Sequence, residues 1–201
     1  MSLVLEHTET DTRTRILLVA ERLFREIGYQ KTTVADIAKV LKMSPANVYR
    51  FFDSKTAIHQ GVATRLMGEV EAAVAAITDQ PLSPKERLRE ILATIHHMNA
   101  ERYVGDAKLH EMVALALEEN WDICDAHLGR LGEMVGGVIA EGVAAGEFKP
   151  CDLELTARCV CISMCRFFHP QMIAQCANKQ IDVPLDLMID FVIGAISVPR
   201  T

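Results

Sequence analysis

The run Thr32 to Lys55, TTVADIAKVLKMSPANVYRFFDSK, leaves this chain little choice of local fold, because it carries two helix starts separated by almost nothing. Thr33 is placed to cap the free amides of a first turn, and Asp36 three positions on completes a capping box with a short acid. Val34, Ile37, Ala38 and Leu41 then recur at helical spacing as one apolar face, with Lys39 and Lys42 left to point elsewhere. Ser44 opens a second helix, and Pro45 takes its first position, where a missing amide hydrogen costs nothing. Only Lys42 and Met43 separate the two. The second helix must be short, since Asp53, Ser54 and Lys55 form a further capping signal, and its Val48 and Phe52 are spaced to face a core. Pro45, Ala46, Asn47, Tyr49 and Arg50 are left near the outer face. Two short helices at a tight turn usually serve to set one of them in the major groove of DNA. There Asn pairs two-fold with adenine, Arg with guanine, and a small Ala46 lets the backbone come close.

The set Thr33, Ile37, Ala38, Ser44, Val48, Tyr49, Phe52 and Lys55, with Ala20, Leu23, Phe24, Gly28 and Tyr29 in the helix before it, resembles the DNA-binding signature of TetR-type transcriptional regulators. The resemblance implies a three-helix DNA-binding domain in residues 1–55 and an all-helical effector-binding and dimerisation domain in residues 56–201. It implies that Thr33, Tyr49 and Lys55 grip phosphate and that Ser44 to Arg50 read bases. Two positions depart from the family pattern: Lys42 stands where a turn glycine is common, and Ala46 where glycine is common. A left-handed backbone at Lys42 costs about 1 kcal/mol more than with glycine. The lysine is also placed to add a phosphate contact.

Charge supports a division of labour. Residues 1–60 hold nine Lys or Arg against seven Asp or Glu, a balance of +2, while residues 61–201 hold twelve against twenty, a balance of -8; the sum is the net -6. An acidic total argues against a protein that coats DNA without sequence preference, yet leaves local binding open, since fields are screened beyond about 8 Å at physiological salt. No stretch approaches the roughly 18 uninterrupted apolar residues of a membrane span. The N-terminus has no basic lead and no small-residue cleavage site, so the sequence predicts a cytoplasmic protein that meets no membrane.

The remaining punctuation is helical throughout, giving an all-α chain of about nine helices. The first runs from about Thr12 to Ile27 and stops at Gly28. After the pair at Thr33 and Ser44, a longer helix from Ser54 to about Thr78 carries the stripe Ile58, Val62, Leu66, Val70, Val74 and Ile77, and is the expected mechanical link between the domains. Ser83, Pro84 and Glu86 form a capping box for a helix to about Tyr103. Others are expected from Gly105 to Leu117, Asn120 to Ala145, Asp152 to Ala177 and Pro184 to Ile196.

In the family the effector pocket lies among the fifth to eighth helices, which here carry His97, Met98, Tyr103, Met112, Trp121, Cys124 and Phe168 as candidate lining for a small hydrophobic or amphipathic molecule. His96 and His97 point about 100° apart on a helix and cannot both face one ligand. The family's last two helices normally form a four-helix bundle with those of a second subunit. Here Val160, Met164, Phe167, Leu187, Met188, Phe191, Val192 and Ala195 supply apolar surface for such a homodimer. Six cysteines include Cys161 and Cys165 one helical turn apart, which keeps a thiol- or metal-sensing regulator as an alternative, although no Cys-x-x-Cys pair exists. His110-Glu111 begins like a zinc-protease helix, but Ala114 stands where the second histidine is required. With no nucleophile elbow, phosphate loop or dinucleotide fingerprint, no enzyme, metal or cofactor is expected. A rival of another class is a helical protein-binding adaptor. The reading reached is a ligand-responsive regulator, most simply a repressor released from a palindromic operator by its effector.

Overall fold

The computed structural model describes residues 2–104, 108, 112, 121–176 and 183–199, without the side chains of residues 2–10, Trp121 and Ala174. Among the described residues it forms ten helices and no strand. These are α1 (Ser2–Ile27), α2 (Val34–Leu41), α3 (Pro45–Tyr49), α4 (Lys55–Thr78), α5 (Pro84–Tyr103), α6 (Trp121–Ala144), α7 (Leu153–Ser163), α8 (Cys165–Phe168), α9 (Pro170–Cys176) and α10 (Leu185–Ile196). The helix expected from Gly105 to Leu117, and with it the His110-Glu111 run, lies outside the described residues apart from Lys108 and Met112.

The chain divides into two units. One comprises residues 1–66 and 106–121, the other residues 67–105 and 122–201. In the first, α1 packs on α2 and α2 on α3. Ile16, Ala20 and Phe24 of α1, Ile37 and Ala38 of α2, Val48 of α3, Phe52 just beyond it, and Ile58 and Val62 of α4 are all buried. Each large side chain so removed from water contributes about 1.5–3 kcal/mol before chain entropy is set against it. Polar anchoring is added by Arg65, which pairs with Glu21, and by His59, whose Nε2 lies 2.9 Å from the Met112 carbonyl.

In the second unit the buried stripes of α4 (Val70, Val74, Ile77), α5 (Leu88, Ile91, Leu92, Ile95) and α6 (Leu131, Val135, Val138, Ile139) share one core with residues of α7, α8 and α10. Arg87 staples it: this buried guanidinium donates to the Thr78 carbonyl at the end of α4, 2.6 Å away, and pairs with Glu141 of α6. The capping box at Ser83 forms, with the Ser83 amide 2.9 Å from the Glu86 carboxylate. An isolated bridge joins Phe148 to Ser197, so the turn after α6 is tied to the end of α10.

Two expectations are corrected. Helix α1 begins at Ser2 rather than near Thr12. The helix expected from Asp152 to Ala177 is three helices instead, broken at Met164 (φ −89°, ψ 2°) and again at His169 (φ −75°, ψ 121°). The second break has a clear cause, since Pro170 disfavours helical backbone at the residue before it and has no amide hydrogen to give.

Candidate nucleic-acid interface

The α2–α3 unit is built by local bonds its sequence specifies. At the start of α2 the Thr33 hydroxyl accepts from the Asp36 amide at 3.2 Å and donates to the Asp36 carboxylate at 2.6 Å, while the Thr33 amide donates to the same carboxylate at 2.9 Å. The Thr33 side chain and then its backbone amide hold the Asp36 carboxyl below its usual range. At the end of α2, Lys42 adopts the left-handed conformation (φ 55°, ψ 42°). Its amide donates to the Lys39 carbonyl at 3.2 Å and the Met43 amide to the Ala38 carbonyl at 3.0 Å, the two reverse bonds of a Schellman ending. The turn that glycine would favour is therefore made by lysine. Ser44 caps α3 through the Asn47 amide at 3.2 Å, and Pro45 follows it.

Around that turn the expected residues sort by accessibility. Lys42, Ser44, Pro45, Ala46, Tyr49 and Arg50 are exposed, while Val48 and Phe52 are buried behind them. Asn47 is half-buried, its side-chain amide 3.8 Å from the Met43 sulfur. Thr33 is exposed, but its hydroxyl is already engaged with Asp36. Lys55 lies folded back, its Nζ 4.3 Å above the Tyr29 ring and donating to the Gln30 carbonyl at 3.3 Å. Burial lowers its pKa from the ordinary lysine value. Arg13 of α1, absent from the sequence expectations, reaches the same corner, donating to the Phe51 carbonyl at 2.6 Å. Its only advance signal was a position before the apolar stripe of α1.

The expected effector-lining residues are divided between the two units. Met112 belongs to the first unit, while His97, Met98, Tyr103, Cys124 and Phe168 belong to the second. The Trp121 side chain lies outside the described residues. Within the second unit Met98 and Phe168 pack on the common core, Tyr103 and Cys124 are buried, and His97 is exposed. His96 is the inward member of the pair: its Nδ1 lies 2.9 Å from the Phe167 carbonyl, and Asn99 donates to the Phe168 carbonyl at 2.9 Å. Spacing gave that signal, since His96 stands four residues after Leu92 on the buried stripe. A half-buried polar cluster, also not anticipated, sets Glu71 of α4 between His127 at 2.6 Å and Arg130 at 2.7 Å on α6.

The expected dimer surface divides as well. Val160, Met164, Phe167 and Val192 are buried inside their own unit, and Met188 is half-buried against its core, so these five serve the chain's own packing. Leu187, Phe191 and Ala195 are exposed. The face that α7 leaves open is Leu155, Cys159 and Ile162, four and three residues apart, with Ile162 72% exposed and Phe191 of α10 69% exposed. All six cysteines are unbridged; Cys161 is half-buried, and burial pushes its thiol up to about 11, away from the reactive thiolate. Among the described residues no three His, Cys, Asp or Glu side chains cluster as metal ligands, and no helix is long and apolar enough to cross a membrane.

Comparisons with known proteins agree with this geometry. Residues 16–62 match the family described as bacterial regulatory proteins, tetR family, and residues 84–188 match the tetracyclin repressor-like C-terminal domain. The chain is 24% identical over 155 residues to the HTH-type transcriptional regulator YhgD of Bacillus subtilis, covering 73% of this chain and 77% of that protein. It is 26% identical over 148 residues to the HTH-type transcriptional repressor KstR2 of Rhodococcus jostii, covering 73% of this chain and 72% of the relative. Its fold is similar to that of the TetR-family repressor FadR of Thermus thermophilus, solved in complex with lauroyl-CoA, with TM-score 0.60, 21% identity, and 94% of this chain and 97% of that one covered. The second matched segment alone spans more than half of the chain, and the helix-turn-helix, the all-helical remainder and both matches place it in one group: this protein belongs to the TetR family of DNA-binding, ligand-responsive transcriptional regulators.

Proposed function

We propose that the protein acts as a homodimeric repressor that reads a palindromic operator with Ser44, Pro45, Ala46, Asn47 and Arg50 and grips phosphate with Lys42, Tyr49 and Lys55. The observation that carries this reading is the Lys42 turn, which leaves the outer side of α3 exposed while Val48 and Phe52 bury its other side. Thr33 enters the phosphate set only by exchanging its bond to Asp36, and Lys55 by lifting from the Tyr29 ring. Division at about residue 55 separates a DNA-reading part from an effector-binding and dimerising part in the cytoplasm. Dimerisation uses the exposed Leu155, Cys159 and Ile162 of α7 with Leu187, Phe191 and Ala195 of α10. A two-fold pair then presents recognition helices about 34 Å or a multiple apart, as a palindrome requires.

The effector is a small hydrophobic or amphipathic molecule taken up in the second unit among residues such as Met98, Tyr103, Cys124 and Phe168. It releases DNA by favouring a state in which the recognition helices no longer match the operator, and α4 is the coupling element because it supplies Lys55–Leu66 to one unit and Met67–Thr78 to the other. A tenfold loss of DNA affinity needs about 1.4 kcal/mol of preference for that state. Selection of binding sites from random duplex DNA tests the reading. An enriched palindrome is expected; enrichment of a single half-site, or of nothing, overturns it.

A further inference from the structure

We infer that Arg13 is a positioning residue that sets the pose of the recognition helix by clamping its exit, an inference that rests on the DNA-reading role proposed for α3. Arg13 lies outside the matched family segment, which begins at residue 16. Helix α3 is five residues long, too short to fix its own direction by internal hydrogen bonds. Its direction is inherited from its two ends. The entry is held by the Lys42 turn and the Ser44 cap. The exit is held by Phe52, whose ring is 2% exposed and whose amide donates to the Val48 carbonyl at 3.2 Å.

Two elements grip that ring. The Arg13 guanidinium carbon stands 4.1 Å from its centroid, a cation-π distance. Gly61 of α4 approaches it elsewhere, so closely that a Cβ there would lie 3.1 Å from Phe52 Cε1 and 2.7 Å from Leu17 Cδ2. The same guanidinium donates through Nη1 to the Phe51 carbonyl at 2.6 Å. One side chain of α1 thus holds both the ring and the backbone one residue before it. A rotation of α3 would have to break both contacts. An arginine that only sought phosphate would have no need of either.

The test uses full-length protein with Arg13 replaced by Ala or by Gln, the latter keeping an amide donor and part of the length without the charge. Binding is measured against a duplex enriched by selection and against random duplex, over a range of KCl, together with amide hydrogen exchange of the free protein. Positioning predicts that Arg13→Ala loses about tenfold on the enriched duplex, keeps its affinity for random duplex and its salt slope, and exchanges faster at Arg50 to Phe52 alone. Arg13→Gln should recover part of the loss. Equal losses on both duplexes, with a salt slope lower by about one unit, would make Arg13 a phosphate contact and overturn the inference. Unchanged exchange at Arg50 to Phe52 would overturn it too. Faster exchange there without any enriched duplex for the unaltered protein would uphold the clamp and overturn the DNA-reading role instead.

Discussion

Lys42 is the only non-glycine residue at positive φ among the described residues, and its strain is offset by two reverse hydrogen bonds rather than by its own side chain. Lys42→Gly should therefore raise unfolding free energy in urea by about 1 kcal/mol, because glycine reaches the left-handed region without a Cβ penalty. The gain is not free for function if Lys42 also meets phosphate: the same variant should bind every duplex more weakly. Lys55 carries a similar double load. Its ammonium rests on Tyr29 and lifts to meet phosphate in the proposed complex; Lys55→Ala should weaken binding to all duplexes alike and lower the salt slope by about one unit, while Asn47→Ala should relax preference at particular base pairs. Identical losses for both variants across a library of operator variants would contradict the division into gripping and reading residues.

At the scale of elements, the turn between α6 and α7 depends on a glycine. A Cβ on Gly142 would lie 2.1 Å and 2.4 Å from ring carbons of Phe148, which is only 1% exposed and has nowhere to retreat. Alanine gains about 1 kcal/mol of helix propensity but loses about 1–3 kcal/mol to overpacking, so Gly142→Ala should melt earlier by a net cost on the order of 1 kcal/mol. The tie between α4 and α6 adds a pH dependence. Burial lowers the His127 pKa and outweighs the opposing pull of Glu71, so His127 is neutral near pH 7 and donates Nδ1–H to the carboxylate. Burial pushes Glu71 up, yet the bonds from Arg130 and His127 prevail and its pKa is lowered. Both signs agree. The unfolded chain takes up protons more readily at each site, so stability should fall as pH drops below the ordinary histidine value of 6.5, and again below the ordinary glutamate value of 4.5. Urea titrations at pH 7.5 and 5.5 would show it, and His127→Gln should flatten the upper part of the fall. Much of this layout was legible in the sequence because caps are local: Thr33, Ser44, Ser54 and Ser83 each mark a helix start that forms. The break before Pro170 was legible too, from the proline alone, and the long apolar run around it masked the signal. Glu71 meeting His127, or Arg13 meeting Phe52, was not legible, since both depend on which helices pack and at what register.

For the whole molecule the decisive distinction is between apolar residues that build one chain's core and those left exposed, which the proposed dimer would cover. Sequence alone pooled the buried Met164 and Phe167 with the exposed Phe191 and passed over Ile162, because all are apolar and only the register of the helices on the core tells them apart. An exposed isoleucine and an exposed phenylalanine on separate helices, each flanked at helical spacing by further apolar residues, make a surface that a monomer would carry at some cost in solubility. Phe191→Glu combined with Ile162→Glu should therefore sediment as a folded monomer with a melting transition for each unit still present. The same protein should lose at least a hundredfold on a palindromic duplex, because two linked half-site contacts gain about 10²–10⁴ over one. Its affinity for an isolated half-site should stay as it was. Met164→Ala should do the reverse: this fully buried side chain costs about 2–5 kcal/mol of unfolding free energy when truncated, while the dimer persists. A Phe191→Glu, Ile162→Glu protein that remained dimeric would remove α7 and α10 as the interface and leave their exposed residues to another partner.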